Sequence, residues 1–161
     1  MSFRRLVTVT IIPISIIMVT WATLGHAFFG LMGWTALLLI ASMVSPALLV
    51  LMLLAKKAAP KYYDTQLKPV VDQTTASIYL VLYGLLFLFG IFVYDFGDTS
   101  NSDGSLATLV LGRGFINATT LISLGLAGLI AATIVVLYVH IYKTNKALKK
   151  TSAKAPLAVK A

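Results

Sequence analysis

The chain has no cysteine and no glutamate, and charged residues make up only 11% of its 161 residues. Without cysteine there are no disulfides, thiol nucleophiles, CxxC redox pairs or thiolate metal sites. Its five acidic residues are all aspartates, which leaves few groups for acid–base chemistry. A soluble domain carries about 25% charged residues. With 59% hydrophobic residues and a mean hydropathy of +0.93, this chain is predicted to be an integral membrane protein.

The first apolar run extends from Leu6 to Ala55 without a charged side chain. A single helix of that length would measure about 75 Å, whereas the hydrocarbon core of a bilayer is about 30 Å thick. Two spans joined by a tight reversal fit this thickness. The glycines and aromatic residues of GHAFFGLMGW, residues 25–34, are types that occur at turns and at headgroup level. We therefore predict spans over about 6–24 and 33–55.

Two further apolar segments follow a polar link. They predict spans over about 75–94 and 115–142, separated by the Gly-, Ser-, Asn- and Asp-rich loop at residues 96–105. The predicted fold is an all-α, four-transmembrane-helix bundle that forms a single membrane domain over residues 1–150. A basic, flexible cytoplasmic tail is expected over residues 151–161.

Positive charge is confined to alternate segments of this topology. All 13 lysines and arginines except Arg113 fall in the N-terminal segment, the link after span two, or the tail. Because positive segments stay in the cytoplasm during insertion, both termini are predicted to be cytoplasmic, with the protein in the cytoplasmic membrane. The strength of the bias argues against a dual-topology transporter.

The basic inner face also predicts a partner for the tail. Each lysine near an anionic leaflet contributes about 1 kcal/mol of attraction, so anionic lipid is the expected partner there. Nucleic acid is not predicted, because neither arginine nor aromatic residues accompany the lysines after Tyr142. These lysines are Lys143, Lys146, Lys149, Lys150, Lys154 and Lys160.

A cleaved signal peptide over residues 1–27 is the alternative interpretation of the first span. Arg4 and Arg5 would form its positive region, and Gly25-His26-Ala27 would supply small residues before the cut. The apolar segment is longer than the roughly 7–15 residues usual in such peptides, which favours a retained span.

Small residues on the fourth span are the best candidate for a helix–helix contact, within the protomer or between protomers. Small side chains let helix backbones approach closely in lipid. The predicted interface consists of Ser123, Ala127, Gly128, Ala131 and Ala132.

An aromatic stripe occupies one face of the third span. Tyr79, Tyr83 and Phe87 are spaced four residues apart and therefore share a helix face. Such a stripe lines a small-molecule groove or, more often, packs against a neighbouring helix or forms an aromatic belt.

Two prolines and one ion pair are expected to shape the bundle. Pro13 and Pro46 should kink spans one and two, because each removes a backbone donor. Asp95 and Arg113 stand at the outer ends of spans three and four and are candidates for an ion pair at the rim.

The sequence contains no recognisable catalytic constellation, so the protein is predicted not to be an enzyme and to need no metal or cofactor. No ionisable residue lies near the middle of a predicted span, although membrane-embedded ion coupling typically uses one. We expect an accessory or interaction subunit of a membrane complex, or an immunity-type protein. Its partner would be another membrane protein or further copies of the chain.

Two other functions are kept as hypotheses. The first is a homo-oligomeric transporter or pore, either holin-like or a small solute channel, lined by Thr8, Ser15, Thr119 and Thr133. The second is a haem-binding redox subunit, since two histidines in a helix bundle can ligate a haem. His26 and His140 are the two histidines, and the predicted spans place them at opposite surfaces.

Overall fold

The computed structural model describes residues 2–29, 34–63, 69–94 and 104–154. The protein is 87% helical, which confirms the all-α class. Within these ranges, three helical segments are long and apolar enough to cross a membrane, and two shorter helices joined by a 52° bend would make a fourth if they form one span. The helices are α1 (Phe3–Leu24), α2 (Trp34–Ala41), α3 (Val44–Ala58), α4 (Gln73–Phe92), α5 (Leu106–Leu111) and α6 (Ile116–Lys154).

The chain reverses direction between α1 and α3. A 3-10 turn, Gly25–Phe29, follows α1 directly, and the predicted turn residues 30–33 lie outside the described residues. Near the end of α1, the hydroxyl of Thr23 lies 2.7 Å from that of Ser45 at the start of α3. This contact brings the two segments of the first apolar run side by side.

The second predicted span, 33–55, is not one helix in the structure. It breaks between α2 and α3, where Met43 adopts a left-handed conformation with φ of 60°. Pro46 has no N–H to donate to the carbonyl of Ser42, and this missing bond falls at the break. Pro46 itself occupies the first turn of α3, where a backbone donor is not required. By contrast, α1 continues through Pro13 as one helix.

Helix α4 lies between α1 and α6 and packs along both of them. Its predicted boundaries, 75–94, shift slightly to Gln73–Phe92, because Asp72 caps the helix by accepting a hydrogen bond from the backbone N–H of Thr75 at 3.1 Å. The core between the four longest helices contains the largest fully buried apolar side chains: Ile11, Met52, Tyr79, Leu82, Leu86 and Leu137.

Helix α6 is longer than the predicted span 115–142. It continues to Lys154, so its first four residues beyond 150 are helical where a flexible tail was expected. At 39 residues the helix is about 58 Å long, roughly twice the thickness of a hydrocarbon core. The remainder of the tail, 155–161, lies outside the described residues.

Short elements lie in the link after α3 and in the segment before α6. The link after α3 contains a two-stranded antiparallel ladder, in which β1 (Tyr62–Tyr63) pairs with β2 (Pro69–Val70). Before α6, the short helix α5 begins with a capping box in which Ser105 and Thr108 exchange hydrogen bonds between side chain and backbone. A 3-10 turn, Arg113–Phe115, then joins α5 to α6.

Candidate functional site

The aromatic stripe of α4 is divided between the core and the surface. Tyr79 and Tyr83 are buried, and both hydroxyls donate to backbone carbonyls of other helices: Tyr79 to Met52 in α3, and Tyr83 to Ile11 in α1 at 3.1 Å. The Ser15 hydroxyl lies 3.2 Å from that of Tyr83. These two tyrosines tie α4 to its neighbours and therefore belong to the helix packing.

Phe87, the third member of the stripe, belongs to a contact that sequence reasoning missed. The indole of Trp21 stacks on the Phe87 ring with 5.7 Å between centroids, and its N–H donates to the Phe87 carbonyl at 3.0 Å. Gly25 and Gly90 leave room for the indole, since a Cβ at either glycine would lie within 2.8 Å of Trp21 atoms. Trp21 thus joins the ends of α1 and α4.

The opposite end of the bundle is held by polar side chains around the start of α4. The guanidinium of Arg4 donates to the Val71 carbonyl at 2.9 Å, and the N–H of Val71 donates to the Thr8 hydroxyl at 3.0 Å. Nε2 of His140, on α6, lies 2.9 Å from Oδ2 of Asp72. The link before α4 is therefore fastened to both α1 and α6.

The carboxylate of Asp72 responds to two opposing effects. Burial raises its pKa, but hydrogen bonds from the side chain and backbone of Thr75, together with His140, lower it by more. The net pKa lies below the ordinary value, so the carboxylate is stabilised in its charged form.

The predicted small-residue interface on α6 is distributed over three surfaces. Ser123 is buried and donates to the Thr120 carbonyl at 2.8 Å. Ala127 and Ala131 border a cavity inside the bundle. Gly128 and Ala132 are exposed, and a Cβ at Gly128 would meet no atom within 4 Å, whereas Ala132 also borders a groove between α4 and α6.

The space beyond Gly125 is open as well, because a Cβ there would also meet no atom within 4 Å. We call the surface formed by Gly125, Gly128 and Ala132 the outward face of α6. Leu126 and Ile130, which alternate with these residues along the chain, point into the bundle and are buried.

A cavity of about 520 Å³ lies between α1, α3, α4 and α6, next to the break between α2 and α3. Its exposed lining residues are on α3 and α6, so the mouth opens between these two helices. Towards the other end of α3 the gap closes, because Tyr138 donates to the Leu51 carbonyl and Asn145 to the Ala58 carbonyl, each at 2.9 Å. The innermost lining residues are Val19, Ala22, Leu86, Ile130 and Ile134.

The predicted rim pair and the two histidines are only partly described. Arg113 is exposed in the turn before α6, whereas its predicted partner Asp95 lies outside the described residues. Within the described ranges, no cluster of three or more His, Asp or Glu side chains is positioned to hold a metal ion. His140 bonds to Asp72, and the side chain of His26 lies outside what the structure describes.

The four hydroxyls proposed to line a pore each make a hydrogen bond within the protomer. Thr8 accepts from the backbone of the link before α4, and Ser15 bonds to a tyrosine hydroxyl of α4. Thr119 donates to the Ile116 carbonyl at 2.9 Å, and Thr133 to the Leu129 carbonyl at 2.7 Å.

Neither known protein families, nor curated proteins, nor solved structures gave a match to this chain.

Proposed function

We propose that the protein is a multi-pass protein of the cytoplasmic membrane that acts without catalysis, as an interaction subunit or immunity-type protein bound to another membrane protein. The helix pair α2–α3 forms one broken span in this proposal, which makes four spans with both termini in the cytoplasm. The three long apolar helices and the broken pair in the described part of the chain support this number.

The distribution of charge supports the orientation. Arg4 contacts the link beside Val71, and Asp72 contacts His140 shortly before the lysines of α6, so these basic segments meet at one end of the bundle. Arg113 follows α5 at the other end. The basic end is the cytoplasmic one in this proposal, because positive segments resist translocation.

The observation that carries the proposed interaction is the outward face of α6. Small residues at a helix surface allow a second backbone to approach closely, and in lipid this close packing replaces the hydrophobic effect as the driving force. Gly128 and Ala132 follow a small-xxx-small spacing, and the space beyond Gly125 and Gly128 is open. A transmembrane helix of a partner protein fits this surface.

Cysteine crosslinking tests the proposal directly, because the wild-type chain has no cysteine. We would introduce Gly128→Cys and, separately, Ala132→Cys, attach a thiol-reactive benzophenone in intact membranes and crosslink by irradiation, because lysine amines are rare in the middle of a membrane span. We expect both variants to crosslink to one partner of defined mass. Ile16→Cys on α1 is the matched control, since Ile16 is also exposed, at 45%, but lies on another helix.

The results separate the candidate functions. A discrete heterologous product from both cysteine variants supports the interaction subunit, and the product of Ala132→Cys should be lost when Gly128 is replaced by leucine in the same chain. Products containing only copies of this chain, combined with dye leakage from liposomes, would instead indicate the pore. Equal crosslinking at all three positions would contradict a specific role for the outward face.

A further inference from the structure

The cavity beside the α2–α3 break has the properties of a ligand site and is distinct from the outward face of α6. Its volume of about 520 Å³ falls within the range of roughly 300–1,000 Å³ that is typical of small-molecule pockets. Ala127 and Ala131 border it, whereas Gly128 and Ala132 do not. A ligand here and a partner helix on the outward face would therefore occupy separate surfaces.

The lining selects an apolar ligand. Among the described residues that line the cavity, all are apolar except Thr23 and Ser45. Water is a poor occupant because a buried water needs about 2–4 polar partners. A helix, about 10–12 Å across with its side chains, would require α3 to move away from α6, although Tyr138 and Asn145 bond these two helices together.

The two hydroxyls add a specific polar requirement. Thr23 donates its proton to the Val19 carbonyl at 2.8 Å. Ser45, 2.7 Å away, must then donate its own proton to the Thr23 oxygen. Both protons are used within the protein, and the lone pairs that remain can only accept. A ligand group that meets this pair has to be a donor.

From the volume, the apolar lining and this acceptor pair, we propose that the cavity binds a single-chain aliphatic alcohol whose hydroxyl donates to Ser45 or Thr23. A straight-chain alcohol and an isoprenoid alcohol share this chemistry. Ordinary phospholipid tails lack the donor and would fill the cavity without using the hydroxyl pair.

Photolabelling of the full chain in phosphatidylcholine nanodiscs tests the proposal. The probe is hexadecanol with a mid-chain diazirine, and the comparison probe is its methyl ether. One hydrogen bond corresponds to roughly a three- to tenfold difference in affinity. We therefore expect the alcohol probe to label the wild type more strongly than the methyl ether by this factor. The label should map to peptides of α3 and α6. Unlabelled hexadecanol and geranylgeraniol then compete, and the stronger competitor identifies the chain type.

Variants locate the site. Ala131→Trp should fill the mouth and abolish labelling, whereas Val136→Trp, which is exposed on the same helix but does not line the cavity, should leave labelling unchanged. The double variant Thr23→Val with Ser45→Ala keeps the cavity but removes the acceptors, and should make the alcohol and the ether label equally. The unfolding transition of the double variant is measured in parallel. If the double variant does not fold, Ser45→Ala alone replaces it in the comparison of the two probes.

Three results would overturn the proposal: equal labelling of the wild type by alcohol and ether, labelling that survives Ala131→Trp, or failure of both unlabelled alcohols to compete. None of these results bears on crosslinking at Gly128 or Ala132, so the ligand site and the partner surface stand or fall separately.

Discussion

The contact between Trp21 and Gly90 provides the sharpest test of the packing between α1 and α4. A Cβ at Gly90 would lie 2.5 Å from Nε1 and 2.7 Å from Cδ1 of Trp21, and 3.1 Å from its backbone oxygen. The indole cannot move aside without losing its hydrogen bond to the Phe87 carbonyl and its stacking on the Phe87 ring. We therefore expect Gly90→Ala to destabilise the protein.

The magnitude follows from three contributions. Overpacking costs about 1–3 kcal/mol, and loss of the Trp21 hydrogen bond costs a further 0.5–1.5 kcal/mol or so. Alanine is favoured over glycine within a helix by about 1 kcal/mol, which offsets part of this cost. The expected net loss in the free energy of unfolding is about 1–3 kcal/mol.

Gly84 supplies the matched control, because it is in the same helix and a Cβ there would meet no atom within 4 Å. Gly84→Ala should be neutral or stabilising by up to about 1 kcal/mol. Unfolding by dodecyl sulfate in mixed micelles, followed by circular dichroism, measures both variants. The fluorescence of Trp21, read in a Trp34→Phe background, reports the indole itself. If Gly90→Ala proved as stable as Gly84→Ala, the inferred role of Trp21 in joining α1 to α4 would be wrong.

Three further predictions address other contacts. Because the folded-state pKa of Asp72 is lowered, its charge stabilises the fold above the ordinary value of 3.8, and this contribution is lost as the pH falls from that value through the lower folded-state pKa. Asp72→Asn retains a capping side chain but removes the charge. The free energy of unfolding of this variant should therefore depend less on pH, between about pH 5 and 3, than that of the wild type. An unchanged pH dependence would contradict the role of the carboxylate. Tyr79→Phe keeps the ring but loses the bond to the Met52 carbonyl, and should lower the unfolding free energy by about 0.5–1.5 kcal/mol, measured by the same dodecyl sulfate titration. Met43→Gly relieves the left-handed conformation at the break and should raise the unfolding free energy by up to about 1 kcal/mol; a destabilised variant would show that the methionine side chain matters more than its backbone conformation.

The aromatic stripe shows how much of the site a local sequence pattern can predict. The four-residue spacing predicts that Tyr79 and Tyr83 share one helix face, and this follows from helix geometry alone. It did not reveal that both hydroxyls would reach carbonyls in two different helices, because those acceptors are 27 and 72 residues away in the chain. The fit of Trp21 between two glycines could not be predicted from its own segment, because Gly90 belongs to another helix.

The α6 interface illustrates the same limit in a different way. Ser123, Ala127 and Ala131 form a stripe when only their spacing is considered. In the folded protein Ser123 packs inward and Ala131 borders the cavity, since the neighbouring α4 decides which arc of the helix is covered. A sequence pattern identifies residues that share a face, but it does not identify what that face meets.

Composition and the lengths of the apolar runs determined the helical class and the approximate extents of the long helices, because hydropathy and helix rise are properties of a segment by itself. The tertiary structure alone decided the pairing of Asp72 with His140, the room made for Trp21 and the cavity between α3 and α6. Each of these depends on atoms that belong to different helices, and their positions are set only when the helices pack together.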